Sequence, residues 1–267
     1  MQSSEKNGKA FHLDNPPIVE AIVGIECELP PRLTLAALEE RAVESLKGTY
    51  PKLQKKMMHQ FQIRKDGGGA PEHTFKNEAL EALLLRSEDE KQLTQFRRTG
   101  YSFNRLAPYP DEGMDAFFHE IQRTWENYCQ IAEPIRIRKI GLRMINRLGL
   151  PLGAGGSLEL DEYLEAGPQM PKLDDRKLSF SGFLNQYQVA DQDSTQRANV
   201  ILANQGVKDG KLTVLLDIEA FDPQPTDSLD WPYVSSVLTS LRGLKNDLFR
   251  KTITPSCLKL FSNPAES

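Results

Sequence analysis

Residues 18–29 read Ile-Val-Glu-Ala-Ile-Val-Gly-Ile-Glu-Cys-Glu-Leu, and this stretch decides the fold class. Its odd-numbered positions are all apolar, from Val19 to Leu29, whereas its even-numbered positions include Glu20, Glu26 and Glu28. A period of two over a full strand length predicts a β-strand with one face on the core. Prolines stand immediately before and after the stretch, and proline cannot donate to a strand ladder, so they mark its limits.

Outward from this strand, apolar alternation and helical spacing predict further elements in an order dominated by strands. The other strands are expected at residues 57–64, 83–85, 93–98, 101–106, 134–150, 178–189, 198–202 and 212–221. Three main helices are expected at 34–48, 111–131 and 229–251, with short helices at 160–165 and after Thr254. Consecutive strands with few helices predict an α+β fold built on a large antiparallel sheet.

The domain organisation follows from where the patterns begin and end. Residues 1–15 are polar and patternless and are expected to be a disordered tail, as are 263–267, which leaves a single α+β domain over 16–262. Two pseudo-repeated halves, 16–131 and 134–253, are the alternative, because each is a set of strands closed by a helix.

Composition narrows the class of protein. The chain has 267 residues and a formal net charge of −4, which gives no overall preference for nucleic acid or membrane. Cys27, Cys129 and Cys257 are far apart, as free thiols in a reducing compartment would be. The N-terminus lacks an apolar signal segment and no run is long enough to span a membrane, so we expect a cytoplasmic protein.

Basic side chains concentrate on the strand predicted at 134–150. Lys139, Arg143 and Arg147 share one face at a spacing of four, and Asn104 and Arg105 lie on a strand that could pair nearby. Arginine forks bind carboxylates and phosphates with two parallel hydrogen bonds. These five residues are the predicted site for an acidic peptide segment or a phosphate-bearing ligand.

An internal ion-pair network is the competing interpretation of the same residues. A sheet lined with charge needs its charges matched, and Glu20, Glu26 and Asp217 are the expected partners. In that case the arginines stabilise the sheet and bind nothing else.

Catalytic motifs are scarce in the sequence. The four histidines, His12, His59, His73 and His119, show no metal-ligand spacing, so no metal and no cofactor is expected. A metal-dependent hydrolase with clustered carboxylates stays an alternative, because several acids share strand faces. Glu26 lies on the same face as Glu28, and Asp217 on the same face as Glu219.

Four stretches resemble a sporadically distributed bacterial family of uncharacterised proteins of about this length. They are Asn-Pro-Pro-Ile-Val-Glu-Ala at 15–21, Tyr-Ser-Phe-Asn-Arg-Leu-Ala-Pro-Tyr at 101–109, Arg-Lys-Ile-Gly-Leu-Arg-Met-Ile-Asn-Arg at 138–147, and the closing helix followed by Ile-Thr-Pro at 253–255. The resemblance extends over residues 15–262. It implies no catalytic residue, cofactor or substrate, and its patchy distribution is similar to that of accessory genes for phage defence or toxin control.

These observations favour a non-enzymatic binding or regulatory protein whose partner is another, co-encoded protein. A nucleic-acid or nucleotide binder that uses the arginine-lined sheet face is the first alternative. The metal-dependent hydrolase is the second. Oligomeric state is left open by the sequence.

Overall fold

The computed structural model describes residues 13, 15–64, 72–107, 113–153, 160–169 and 182–262. Within these ranges, nine strands form one sheet: β1 (Ile18–Glu28), β2 (Lys52–Arg64), β3 (Glu72–Arg86), β4 (Gln92–Arg97), β5 (Gly100–Leu106), β6 (Arg136–Pro151), β7 (Leu184–Ala190), β8 (Arg197–Lys208) and β9 (Lys211–Asp222). The helices are α1 (Leu35–Leu46), α2 (Gly113–Ala132), α3 (Leu160–Tyr163), α4 (Trp231–Thr252) and α5 (Pro255–Lys259). The predicted α+β class with a large antiparallel sheet is confirmed.

The strand order across the sheet is β2-β3-β4-β5-β1-β6-β9-β8-β7. The pairs from β2 to β5 and from β9 to β7 are antiparallel neighbours in sequence, as expected of hairpins. The strand that decides the fold, β1, is central, between β5 and β6. This order places β6, the arginine-bearing strand, beside both acid-bearing strands, β1 and β9.

The burial of the side chains in β1 follows the alternation that the sequence predicts. Ala21, Val23, Ile25 and Cys27 are buried, whereas the intervening residues from Glu20 to Glu28 are partly or fully exposed.

The predicted start of the ordered chain needs a small correction. The amide of Asn15, placed in the disordered tail, donates to the carbonyl of Phe261 at 3.1 Å, and Leu13 packs against buried apolar residues. The other tail residues, 1–12, 14 and 263–267, lie outside the described residues.

Contacts divide the chain into two compact units, and neither is continuous in sequence. Unit 1 comprises residues 1–20, 142–221 and 239–267, and unit 2 comprises 21–141 and 222–238. The division passes through β1, β6 and α4, so the units do not coincide with the predicted halves 16–131 and 134–253.

Unit 2 has an aromatic core that α2 forms with β4 and β5. The rings of Trp125 and Tyr128 stack at 5.7 Å between centroids, and Tyr101 meets both, at 5.6 and 5.7 Å. The Trp125 indole donates to the carbonyl of Leu229 at 3.0 Å, so this fully buried ring has no unsatisfied polar atom.

At the start of β5, a Cβ on Gly100 would lie 2.1 Å from the carbonyl oxygen of Ile25, so only glycine allows this approach of β5 to β1.

Unit 1 has an aliphatic core between its strands and the second half of α4. Leu241 on α4 is fully buried, as predicted. The buried apolar cluster of this unit has members on β6, β8, β9, α4 and the short helices, and they include Leu148, Val200, Leu216 and Phe249. No helix in the described part of the chain is long and apolar enough to cross a membrane.

Candidate functional site

The charged side chains of unit 1 lie mainly on the side of its strands opposite the aliphatic core, which we call the open face. On β6, the even-numbered residues from Leu142 to Leu150 are buried, whereas Arg143, Ile145, Arg147 and Gly149 are not. On β9 the same alternation gives the open face Lys211, Thr213, Leu215, Asp217 and Glu219. Because β6 and β9 are neighbours, these two rows of side chains run side by side.

Arg143 and Asp217 form a two-point ion pair across β6 and β9. The Nε of Arg143 donates to one carboxylate oxygen at 2.8 Å and its Nη2 donates to the other at 2.5 Å. The Arg143 side chain is 42% exposed, whereas that of Asp217 is 6% exposed. These bonds raise the pKa of Arg143 above its ordinary value, and Glu219 and Glu20 add to the effect. The carboxylate is therefore satisfied and shielded from solvent by the arginine.

A chain of polar contacts continues from Glu219 to the edge of the sheet. The Asn199 amide on β8 donates to a carboxylate oxygen of Glu219 at 3.1 Å. The Gln188 amide on β7 in turn donates to the Asn199 side-chain oxygen at 2.8 Å. These cross-strand bonds fix the side chains of three neighbouring strands on the open face.

Arg147 lies four residues from Arg143 on the same side of β6 but has a different environment. Its side chain is exposed, and among the described residues it makes no ion pair. Its backbone amide donates to the carbonyl of Pro17 at 2.8 Å, so the strand is anchored here by the backbone of Arg147 and not by its guanidinium.

Lys211 is a second cation near Arg147, and it was not among the predicted site residues. A Cβ on Gly149 would lie 3.5 Å from the Cδ of Lys211, so the lysine stem crosses β6 two residues beyond Arg147. Two residues along a strand span about 7 Å. Lys211 is exposed and, like Arg147, has no ion pair within the described part of the chain. Strand alternation from Asp217 back to Lys211 could have placed it on this face.

The other cations of β6 have carboxylate partners in unit 2. Lys139 lies 3.6 Å from Glu26, Arg138 lies 2.5 Å from Glu28, and the Arg136 guanidinium binds Asp227 at 2.8 Å. Glu26 and Glu28 therefore face cations on the neighbouring strand. The acids of β1 and β9 are kept apart because β6 stands between these strands.

Asn104 and Arg105, the remaining predicted site residues, do not share a face. They are consecutive on β5, so their side chains point to opposite sides of the sheet. The Asn104 side-chain oxygen accepts from the Gln95 amide at 3.3 Å. In the sheet order β1 separates β5 from β6, so β5 is not the direct neighbour on which the prediction relied.

The described residues show neither a reactive thiol nor a cluster of metal ligands. Burial raises the pKa of the Cys129 and Cys257 thiols to about 12 and that of Cys27 still further, so the thiols are protonated and poorly nucleophilic at neutral pH. No group of three His, Cys, Asp or Glu residues among the described side chains could hold a metal ion. His12 and the side chains of His59 and His73 lie outside that description.

Comparison with protein-family models and with curated proteins finds no match to this chain.

Proposed function

We propose that this chain is a non-enzymatic binding protein that holds an acidic segment of another protein on the open face of unit 1. The observation that carries the proposal is the pair of exposed cations, Arg147 and Lys211, on a sheet where the other β6 cations each have a carboxylate. A carboxylate of a partner supplies the counter-charge that the described residues of this chain do not. Arginine in such a place forms two parallel hydrogen bonds to a carboxylate, which gives orientation as well as affinity.

The state of Asp217 supports binding over hydrolysis. A general base or metal ligand needs lone pairs that face the substrate or ion. Both oxygens of Asp217 accept from Arg143, and its side chain is 6% exposed. The Asp217 carboxylate is thus occupied in stabilising the sheet and is not available to a metal-dependent hydrolase.

The charge balance of the open face favours a protein partner over nucleic acid. A phosphate backbone binds where several cations follow one another without interruption. On this face Asp217, Glu219 and Glu20 accompany Arg143, so Arg147 and Lys211 do not continue into an uninterrupted row of cations. A local patch of two cations suits one or two carboxylates, and the acids around it would repel a long polyanion.

The biological setting that we propose rests on the sequence resemblance alone. It is a regulatory role in the bacterial cytoplasm, with a co-encoded protein as the partner, in defence or toxin control.

The experiment is a quantitative capture of partners from the native host with the tagged full chain and three charge-reversed variants. R147E/K211E reverses the proposed site. The control, R98E, reverses an exposed arginine in the turn between β4 and β5, and R98E/K91E matches the charge change of the double variant. Captured protein, nucleic acid and small molecules are identified, and each is eluted with increasing salt.

The proposal predicts a protein that the wild type and R98E/K91E capture, that R147E/K211E loses, and that moderate salt releases because exposed charges are screened. A captured protein that R147E/K211E retains would contradict it. Nucleic acid lost selectively from R147E/K211E would establish the alternative instead.

A further inference from the structure

Strand β7 forms one edge of the sheet, and half of its backbone groups point away from β8. Two backbone hydrogen bonds flank the pairing of β7 with β8. The Asn204 N–H donates to the Phe183 carbonyl at 3.0 Å, and the Asp191 N–H donates to the Gln196 carbonyl at 2.9 Å. In an antiparallel pair, bonded residues alternate with residues whose N–H and C=O face the other way. The register therefore bonds the odd-numbered residues to β8. The outward-facing residues are Leu184, Gln186, Gln188 and Ala190.

This edge lacks the features that usually prevent strand addition. Charged residues, prolines and bulges protect most natural edges. The sequence of β7, Leu-Asn-Gln-Tyr-Gln-Val-Ala, contains neither charge nor proline, and its pairing with β8 has no register shift. The four outward-facing residues have exposed side chains, and that of Leu184 is 70% exposed. Within the described residues, one side chain bonds to the edge backbone: the Gln192 amide donates to the Ala190 carbonyl at 3.4 Å, and this exposed side chain can move aside.

The opposite edge of the sheet, β2, shows the protection that β7 lacks. It carries Lys52, Lys55 and Lys56, and its pairing with β3 is interrupted by two register shifts. Two copies of β2 placed side by side would bring lysines together, which opposes pairing. The two edges of one sheet are therefore built differently.

We propose that β7 pairs with β7 of a second copy of this chain, antiparallel about a two-fold axis at Tyr187. In that register Leu184 meets Ala190 of the second copy and Gln186 meets Gln188 of the second copy. Each residue whose backbone groups point outward then faces such a residue of the second copy. There are four of these pairs, and each exchanges two backbone hydrogen bonds, which gives about eight. Across the two strands, the apolar Leu184 side chain faces the apolar Ala190 side chain, and the Gln186 amide faces the Gln188 amide. A two-fold interface requires this self-complementarity, and no like charges oppose one another.

The test is the oligomeric state of the full chain by sedimentation velocity over a range of concentrations. Q186K/Q188K introduces like charges that face one another across the axis, and Q186E/Q188E does the same with the opposite sign. Q186P removes an N–H that points outward, so the β8 ladder is kept. Q54K, a lysine substitution on exposed β2, is the matched control. Circular dichroism and thermal unfolding check that each variant is folded.

The wild type and Q54K should form a dimer at high concentration, and Q186K/Q188K, Q186E/Q188E and Q186P should sediment as monomers. Mixing the lysine and glutamate variants should restore a dimer that contains one of each. The proposal is overturned if the wild type is monomeric throughout, or if the lysine variant dimerises as well as the wild type. Failure of this test leaves the proposed function standing, because partner capture is measured with variants in which β7 is unchanged.

Discussion

Arg143 and Arg147 are four residues apart on the same face of the same strand, but the structure gives them different roles. Arg143 binds a nearly buried carboxylate with two hydrogen bonds, whereas Arg147 is exposed and lies near a second exposed cation. Their sequence contexts are almost alike. The difference comes from the neighbouring strand, since β9 presents Asp217 to Arg143, whereas no acid of β9 pairs with Arg147, and Lys211 lies against Gly149, two residues further along β6. An arginine on a sheet is therefore assigned a role by its cross-strand neighbour rather than by its own strand.

The largest expected effect concerns Arg143. R143A leaves the Asp217 carboxylate, 6% exposed, without its cation, and we expect a loss of about 2–4 kcal/mol in the free energy of unfolding. The loss is below that of a fully buried pair because the guanidinium already contacts water. Urea unfolding monitored by circular dichroism measures it. A loss below about 0.5 kcal/mol, typical of a surface substitution, would mean that the pair contributes nothing to stability.

A third cation of unit 1, Lys245, makes no ion pair with any residue that the structure describes. Lys245 lies on the buried side of α4 and is 8% exposed, and burial, with a contribution from Arg242, lowers the pKa of its amine to about 8. The unfolded chain holds this proton up to about pH 10.4, so between about pH 8 and that value it binds more protons than the folded chain. The contribution of Lys245 to the free energy of unfolding therefore rises as the pH rises from about 8 to about 10.4.

K245M removes the cost of burying this charge. We expect a gain of about 1–3 kcal/mol at pH 7, and the gain should shrink as the pH rises from about 8 to 10. Urea unfolding at a series of pH values measures both. A destabilised K245M protein at pH 7 would show that the amine has a favourable role in the folded state.

The smallest expected effect concerns the proposed site. R147A/K211A should change the free energy of unfolding by less than about 0.5 kcal/mol, because both side chains are exposed and neither makes an ion pair within the described residues. The same double variant should lose the salt-sensitive partner. Thermal unfolding and partner capture from the same preparation check the two statements together. A clear loss of stability would assign this patch a structural role.

The parts of the fold that local pattern determines were predictable from the sequence. The alternation in β1 predicted which side would be buried, because a strand with one face on a core must alternate. Strand β2 was predicted to begin at Met57, but it begins at Lys52. It is an edge strand, and its lysines interrupt the apolar alternation on which the prediction depended.

The candidate site was only partly predictable, because it depends on which strands become neighbours. Asp217 was a predicted partner of the arginines, and the structure brings it to Arg143. Asn104 and Arg105 were expected nearby, but β1 stands between β5 and β6. Strand order and register are long-range properties, so no spacing along the chain could have shown that Lys211 would cross Gly149.

The most direct test of the different roles of the two arginines is a pair of double-mutant cycles measured by urea unfolding. One cycle combines R143A with D217A, and the other combines R147A with D217A. The structure predicts a coupling energy of at least about 1 kcal/mol in the first cycle and less than about 0.5 kcal/mol in the second. Equal coupling energies, or a larger one for Arg147, would contradict the assignment of Arg143 to the sheet and Arg147 to the partner.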